Sequence, residues 1–175
     1  GIHLDYVRYP GSDYSHDATS VALYAARGDG MTWSQWQHAQ VNEAVLAVSE
    51  SVDIPVTAAV WGIYEDSWGW GGVSQGYHDY YQDSRAFLEQ GLLDANIPMI
   101  YWPVTDTPDD RLDFRALVAD HVAHAAGRHV YAGMGDQNSY ADVVRCIEVA
   151  REEGANGVVL FDWSLFRTHM ADFKT

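Results

Sequence analysis

Strand-like and helix-like segments alternate along the chain, and this alternation constrains the fold more than any other feature. Helical periodicity separates successive short segments that are rich in β-branched or small apolar residues. A helical crossover returns the chain so that the next strand runs in the same direction, which predicts a parallel sheet. The five predicted strands cover residues 2–9, 54–64, 95–102, 129–135 and 156–163.

The helical segments carry their own start signals. Thr32 is followed by Gln35 in the spacing of a capping box, which predicts a helix that runs to about residue 51. The Gly-, Ser- and Asp-rich stretch from residue 10 to about residue 31 is predicted to be a long loop. Further helices are predicted over residues 80–94, about 109–126 and 140–153.

Two architectures contain such parallel units: a (β/α)₈ barrel and a doubly wound open sheet. No phosphate-binding glycine motif follows any predicted strand. The candidate functional residues instead follow the carboxyl ends of several strands, which is typical of a barrel. The chain is therefore predicted to be a single α/β domain over residues 1–175 that forms a partial (β/α)₈ TIM barrel. A complete barrel has about 250 residues, so we expect three strands to be missing.

Charge and composition exclude several classes of partner. The 25 acidic residues outnumber the 10 basic ones and give a formal charge of −15, which disfavours nucleic acids and anionic lipid surfaces. No apolar run approaches the roughly 18 residues of a membrane span. Cys146 lies in a helical pattern and is predicted to be a small buried apolar residue. The histidines show no ligand spacing, so no metal or other cofactor is predicted.

Aromatic residues are abundant, with seven Trp and eleven Tyr. Many lie in predicted loops, where flat rings with polar edges suit sugars or other amphipathic ligands, and core packing is the alternative. Trp61 and Trp102 are predicted binding platforms at the ends of their strands. Tyr101 is predicted either to donate a hydrogen bond to a developing charge or to form part of the wall.

Asp5 is the first candidate catalytic residue. Strand alternation places His3, Asp5 and Val7 on one face. A carboxyl group held at a low-dielectric position inside a barrel can act as a general acid. The alternative is a buried ion pair between Asp5 and Arg8. Arg8 could instead anchor a carboxylate of the substrate.

Two further carboxylates are candidates. Asp162 ends the last apolar strand, where it is either a second catalytic carboxylate or the cap of the next helix. Asp83 lies near a predicted helix start, where its carboxylate suits the helix dipole, and a role in the site stays open.

The runs "DYVRYP", "YYQD" and "PMIY" occur in this order, and the chain resembles the bacterial glycosyl-hydrolase-like family ten over nearly its whole length. The resemblance implies a divisome-type glycosidase barrel of which this chain holds strands four to eight. It implies hydrolysis of a cell-wall or extracellular glycan that contains amino sugars, in the bacterial periplasm or outside the cell. A carbohydrate-binding module without turnover is the alternative, and the open barrel edge suggests self-association.

The same resemblance assigns roles to individual residues. Asp5 matches the acid carboxylate at the end of strand four of related barrels. The family's peptidoglycan-cleaving members have a second acidic residue where this chain has Tyr6. The other predicted catalytic residues are Asp162 and Tyr101. The predicted substrate-binding residues are Arg8, Tyr6, Trp61, Asp83 and Trp102.

Overall fold

A computed structural model describes residues 1–105, 111–135 and 139–168, without the side chains of residues 165, 166 and 168. The strands are β1 (Ile2–Leu4), β2 (Val56–Trp61), β3 (Ala95–Met99), β4 (His129–Gly135) and β5 (Gly157–Phe161). The helices are α1 (Ala18–Arg27), α2 (Trp33–Glu50), α3 (Gly76–Tyr80), α4 (Ser84–Glu89), α5 (Phe114–Ala123), α6 (Tyr140–Glu152) and α7 (Trp163–Thr168).

The five strands form one parallel sheet in the order β1-β2-β3-β4-β5. A doubly wound sheet reverses its strand order at a switch point, and this order does not reverse. Right-handed crossovers that all step in one direction place the helices on one face of the sheet. The fold is therefore a half-barrel with helices between the strands, which confirms the predicted partial (β/α)₈ barrel. Among the described residues, β1 pairs only with β2, and β5 only with β4.

The apolar core lies between the sheet and the helices. One cluster joins the end of β3 and β4 to α5 and α6, and a second joins β1, β2 and β4 to α2 and α4. Phe114, Phe87 and Val45 are completely buried in these clusters. Cys146 is also fully buried, and burial raises the pKa of its thiol to about 11. The prediction that Cys146 is a buried apolar residue is confirmed.

Two predicted segments differ from the structure. The predicted loop over residues 10–31 contains α1, because the Asp17 carboxylate caps it by accepting hydrogen bonds from the amides of Thr19 and Ser20 at 3.0 Å each. The predicted helix over residues 80–94 is shorter in the structure: α3 ends at Tyr80, Tyr81 follows with a left-handed φ of 52°, and α4 covers only Ser84–Glu89. The capping box of Thr32 and Gln35 is present as predicted.

Gly62 allows the end of β2 to approach β3 closely. A Cβ atom there would overlap the carbonyl oxygen of Met99 and lie 3.2 Å from Cζ3 of Trp102. We expect Gly62→Ala to lower the free energy of unfolding by about 1–3 kcal/mol, measured by urea denaturation, because backbone atoms must move. Gly11→Ala is the control, since its Cβ would meet only the Tyr14 ring at 3.6 Å. Equal stability of the two variants would contradict this reading.

Candidate active site

A tight turn after β1 turns three side chains toward the inner face of the half-barrel. Tyr6 has a left-handed φ of 59°, its amide donates to Asp5 Oδ1 at 2.7 Å, and its carbonyl accepts from the Arg8 amide at 2.8 Å. Asp5, Tyr6 and Arg8 consequently line one cavity, whereas Val7 packs against the apolar core. The prediction that Val7 shares a face with Asp5 is wrong, because strand alternation holds only while the chain is extended.

Gln82 fixes this turn to the neighbouring strand. Its side chain is fully buried. Its Nε2 donates to the carbonyl of Val7 at 3.0 Å, and its Oε1 accepts from the amide of Trp61 at 2.6 Å. Gln82 therefore positions the ends of β1 and β2 relative to each other. Gln82 was not among the predicted residues, whereas the adjacent Asp83 was, because a neutral amide beside a carboxylate gives no chemical signal of its own.

The cavity lies at the carboxyl ends of the strands and has a volume of about 420 Å³. His3 reaches it from β1, where its Nδ1 lies 2.9 Å from Thr57 Oγ1. Tyr101 and Phe161 form a stacked pair at its wall, with ring centroids 5.9 Å apart. The cavity thus combines polar side chains from the turn after β1 with an apolar wall from β3 and β5, as ligand sites commonly do.

Arg8 places a positive charge beside this cavity and forms no ion pair within the described part of the chain. Its guanidinium carbon lies 4.1 Å from the ring centroid of Tyr6, 5.4 Å from that of Trp61 and 5.8 Å from that of Tyr80. These rings attract the positive charge. The Nη1 atom is nevertheless buried and has no hydrogen-bond partner among the described residues. A buried donor without an acceptor costs about 1–3 kcal/mol, which the attraction of the surrounding rings offsets in part.

Asp5 is exposed, and none of the ion pairs of the described residues joins it to Arg8. The alternative of a buried Asp5–Arg8 ion pair is therefore wrong. The Tyr6 amide fixes Oδ1, while Oδ2 accepts no hydrogen bond from the described part of the chain. One carboxylate oxygen of this cavity-lining residue is therefore held in place by the backbone.

The charges of Asp5 and Arg8 both act on the hydroxyl group of Tyr101. Burial raises the pKa of Tyr101, the negative charge of Asp5 raises it further, and the positive charge of Arg8 opposes this. Its hydroxyl therefore stays protonated at neutral pH and can donate a hydrogen bond. Asp5 and Arg8 were predicted from the first strand segment and Tyr101 from the third, and the structure brings the three side chains to one cavity.

Two smaller cavities continue from the first. Trp61, Met99, Tyr101 and Trp102 line a cavity of about 310 Å³, which shares Met99 and Tyr101 with the first cavity. A third, of about 220 Å³, shares Trp61 and Trp102 with the second and includes Arg111. The predicted platforms Trp61 and Trp102 therefore lie beside the candidate site.

The other two predicted carboxylates cap helices. Asp162 is exposed and accepts hydrogen bonds from the amide of Ser164 at 2.7 Å and from its hydroxyl, which lowers the pKa of the Asp162 carboxyl. Asp83 Oδ1 accepts from the amide of Ala86 and the hydroxyl of Tyr64, each at 3.1 Å. Neither carboxylate lines the three cavities described above. Their predicted roles in the site stay predictions.

Buried tyrosines give stability a dependence on alkaline pH. Burial and the charge of Asp83 raise the pKa of Tyr64, and burial likewise raises that of Tyr101. Tyrosines in the unfolded chain ionise near pH 10, so the folded state retains protons that the unfolded state has lost. We expect the free energy of unfolding to fall as the pH rises above about 10, and Tyr64→Phe to reduce that slope. Denaturant unfolding between about pH 8 and 11 measures it, and an unchanged slope in Tyr64→Phe would contradict the expectation.

Over residues 1–105, 111–135 and 139–168, no group of three or more His, Cys, Asp or Glu side chains is arranged to hold a metal ion. No helix within this part of the chain is long and apolar enough to cross a membrane.

Comparison with known proteins identifies no family for this chain. No family model and no curated protein matches it. Among solved structures, it is similar to a putative phosphonomutase from Burkholderia cenocepacia J2315, with 12% sequence identity and a TM-score of 0.45. The similarity covers 85% of this chain, which spans 62% of the length of that structure.

These comparisons correct the predicted family and activity. No glycosyl-hydrolase family model matches, and the similar solved structure is described as a putative phosphonomutase instead of a glycosidase. The predictions of membership in glycosyl-hydrolase-like family ten, of glycoside hydrolysis and of a polysaccharide substrate are therefore wrong. The prediction that the protein is secreted came from the same resemblance and is no longer supported. The extracellular or periplasmic location and the self-association stay untested predictions.

Proposed function

We propose that the cavity around Arg8 is the active site of an enzyme that binds a small organic acid. The observation that carries the proposal is that Arg8 lines this cavity while none of the ion pairs of the described residues involves its guanidinium. A guanidinium group binds a carboxylate through two parallel hydrogen bonds, so an acid group in the cavity would supply the ion-pair partner. The position at the carboxyl ends of parallel strands is where barrel enzymes hold their substrates.

The neighbouring side chains suit proton transfer on a bound acid. Asp5 Oδ2 is the candidate proton acceptor, since Oδ1 is fixed by the Tyr6 amide. The hydroxyl of Tyr101 stays protonated and can donate a hydrogen bond to an oxygen on which negative charge develops. Arg8 would hold the acid group, so that binding and proton transfer use different residues.

The charge of the whole chain favours a small anion over a polyanion. With a formal charge of −15, the surface repels extended polyanions such as nucleic acids. A small acid needs only the local positive charge of Arg8, which lies near the rings of Tyr6, Trp61 and Tyr80. This supports a low-molecular-weight substrate.

Isothermal titration with benzoate and with benzamide tests the proposal, because the two probes have the same ring and differ in charge. We expect benzoate to bind the intact chain at least about tenfold more tightly than benzamide, as a charge-assisted pair with Arg8 requires. Equal affinities, or no binding of benzoate, would contradict an anion site at Arg8.

A further inference from the structure

The acid site of the proposed function opens into an apolar slot. The slot is the cavity of about 310 Å³ lined by Trp61, Met99, Tyr101 and Trp102. It shares Met99 and Tyr101 with the cavity that contains Arg8, so the two spaces adjoin. A ligand held by Arg8 can therefore extend past Tyr101 into the slot.

The walls of the slot are mostly rings and a thioether. The indole N–H of Trp61 donates to the carbonyl of Ser74 at 2.7 Å, so Trp61 offers its ring face and not a donor. Of the described residues that line the slot, only Tyr101 is ionisable. A charged group placed there would lose its hydration without a partner, whereas an apolar ring would be stabilised by the contacts.

The slot is also held in a fixed shape. The amide of Trp61 donates to Gln82, and its ring lies against that of Tyr80 with centroids 4.5 Å apart. Trp102 packs against the apolar core close to Gly62. The volume of the slot, about 310 Å³, exceeds the roughly 150 Å³ of an engineered apolar cavity that holds benzene. A flat ring system larger than benzene therefore has room.

We infer that the substrate is an organic acid with a flat apolar body, its acid group on Arg8 and its body in the slot between Trp61 and Trp102. This inference rests on the proposed function, since Arg8 must first hold the acid group. It assigns specificity to residues of β2 and of the segment after β3, separately from the residues that carry the charge.

Titration of the intact chain with acetate and with 2-naphthoate tests the inference, because both carry one carboxylate and only one has a flat body. We expect wild type to bind 2-naphthoate at least about tenfold more tightly than acetate. Trp102→Ala should weaken the binding of 2-naphthoate about tenfold and change the affinity for acetate by no more than about twofold. Trp68→Ala is the matched control, since Trp68 stacks on Trp70 and lines none of the three cavities.

The outcomes separate the inference from the proposed function. Equal affinity for both probes in wild type, or equal weakening of both by Trp102→Ala, would overturn the slot while Arg8-dependent binding stands. Binding that Arg8→Gln leaves unchanged would overturn both. If circular dichroism shows that Trp102→Ala is unfolded, Trp102→Leu keeps apolar bulk, and it should weaken 2-naphthoate about threefold because the flat face is lost. No weakening in Trp102→Leu would then count against the slot.

Discussion

Arg8→Gln is expected to weaken benzoate binding about a hundredfold, because it removes both the positive charge and the paired donors that fit a carboxylate. Among the described residues, Arg8 and His3 are the only basic residues that line the cavity of about 420 Å³. The glutamine side chain keeps an amide donor group and much of the length of arginine, but it carries no charge. Arg8→Lys keeps the charge without the planar fork, and an intermediate loss of about tenfold is expected. Isothermal titration measures both variants.

Arg85 provides the matched control for Arg8. Its guanidinium also lies over a tyrosine ring, 4.0 Å from the centroid of Tyr64, but it already pairs with Asp120 at 2.9 and 3.1 Å. Arg85→Gln is expected to lower stability and to leave benzoate affinity unchanged, because Asp120 already balances the charge of Arg85 and Arg85 lines none of the three cavities. Equal losses of affinity in the two glutamine variants would show that binding does not depend on Arg8 specifically.

Gln82→Leu is expected to lower the free energy of unfolding by about 2–6 kcal/mol, since two buried backbone groups lose their partners and each costs about 1–3 kcal/mol. These groups are the amide of Trp61 and the carbonyl of Val7. Leucine has nearly the same size, so little of the loss would come from a cavity. Urea denaturation measures the change. Benzoate affinity should also fall, because the turn that carries Arg8 is no longer tied to β2.

Gln37 is the control for Gln82. It is also fully buried, and its Nε2 donates to the carbonyl of Tyr14 at 3.0 Å, but its Oε1 has no partner among the described residues. Gln37→Leu therefore removes one hydrogen bond, and about half the loss of stability or less is expected, with benzoate affinity unchanged. Equal effects of the two variants would show that burial of the amide matters more than the link between β1 and β2.

The fold was predictable because each unit has its own local signal. The apolar run of β2 and the capping box at Thr32 can be recognised from the local sequence alone. The parallel direction of the strands follows from the helical crossovers. The end of β1 was not predictable, since the left-handed turn at Tyr6 depends on hydrogen bonds with Asp5 and Arg8. A strand pattern alone does not show where such a turn replaces alternation.

The site was partly predictable for the same reason. Parallel strands end at one edge of a sheet, so Asp5 and Tyr101 had to meet there. The link through Gln82 depends on contacts between residues distant in sequence and left no signal. The predicted activity failed because short runs such as "DYVRYP" describe the scaffold of the turn, and one barrel scaffold carries many chemistries.

A crystal structure of the intact chain with benzoate bound is the most direct test of the claim that Arg8 holds an organic acid. The expected result is a carboxylate in the cavity, with its oxygens within about 2.7–2.9 Å of guanidinium nitrogens of Arg8. Benzoate bound away from Arg8, or an Arg8 side chain turned to pair with Asp5 in its presence, would contradict it.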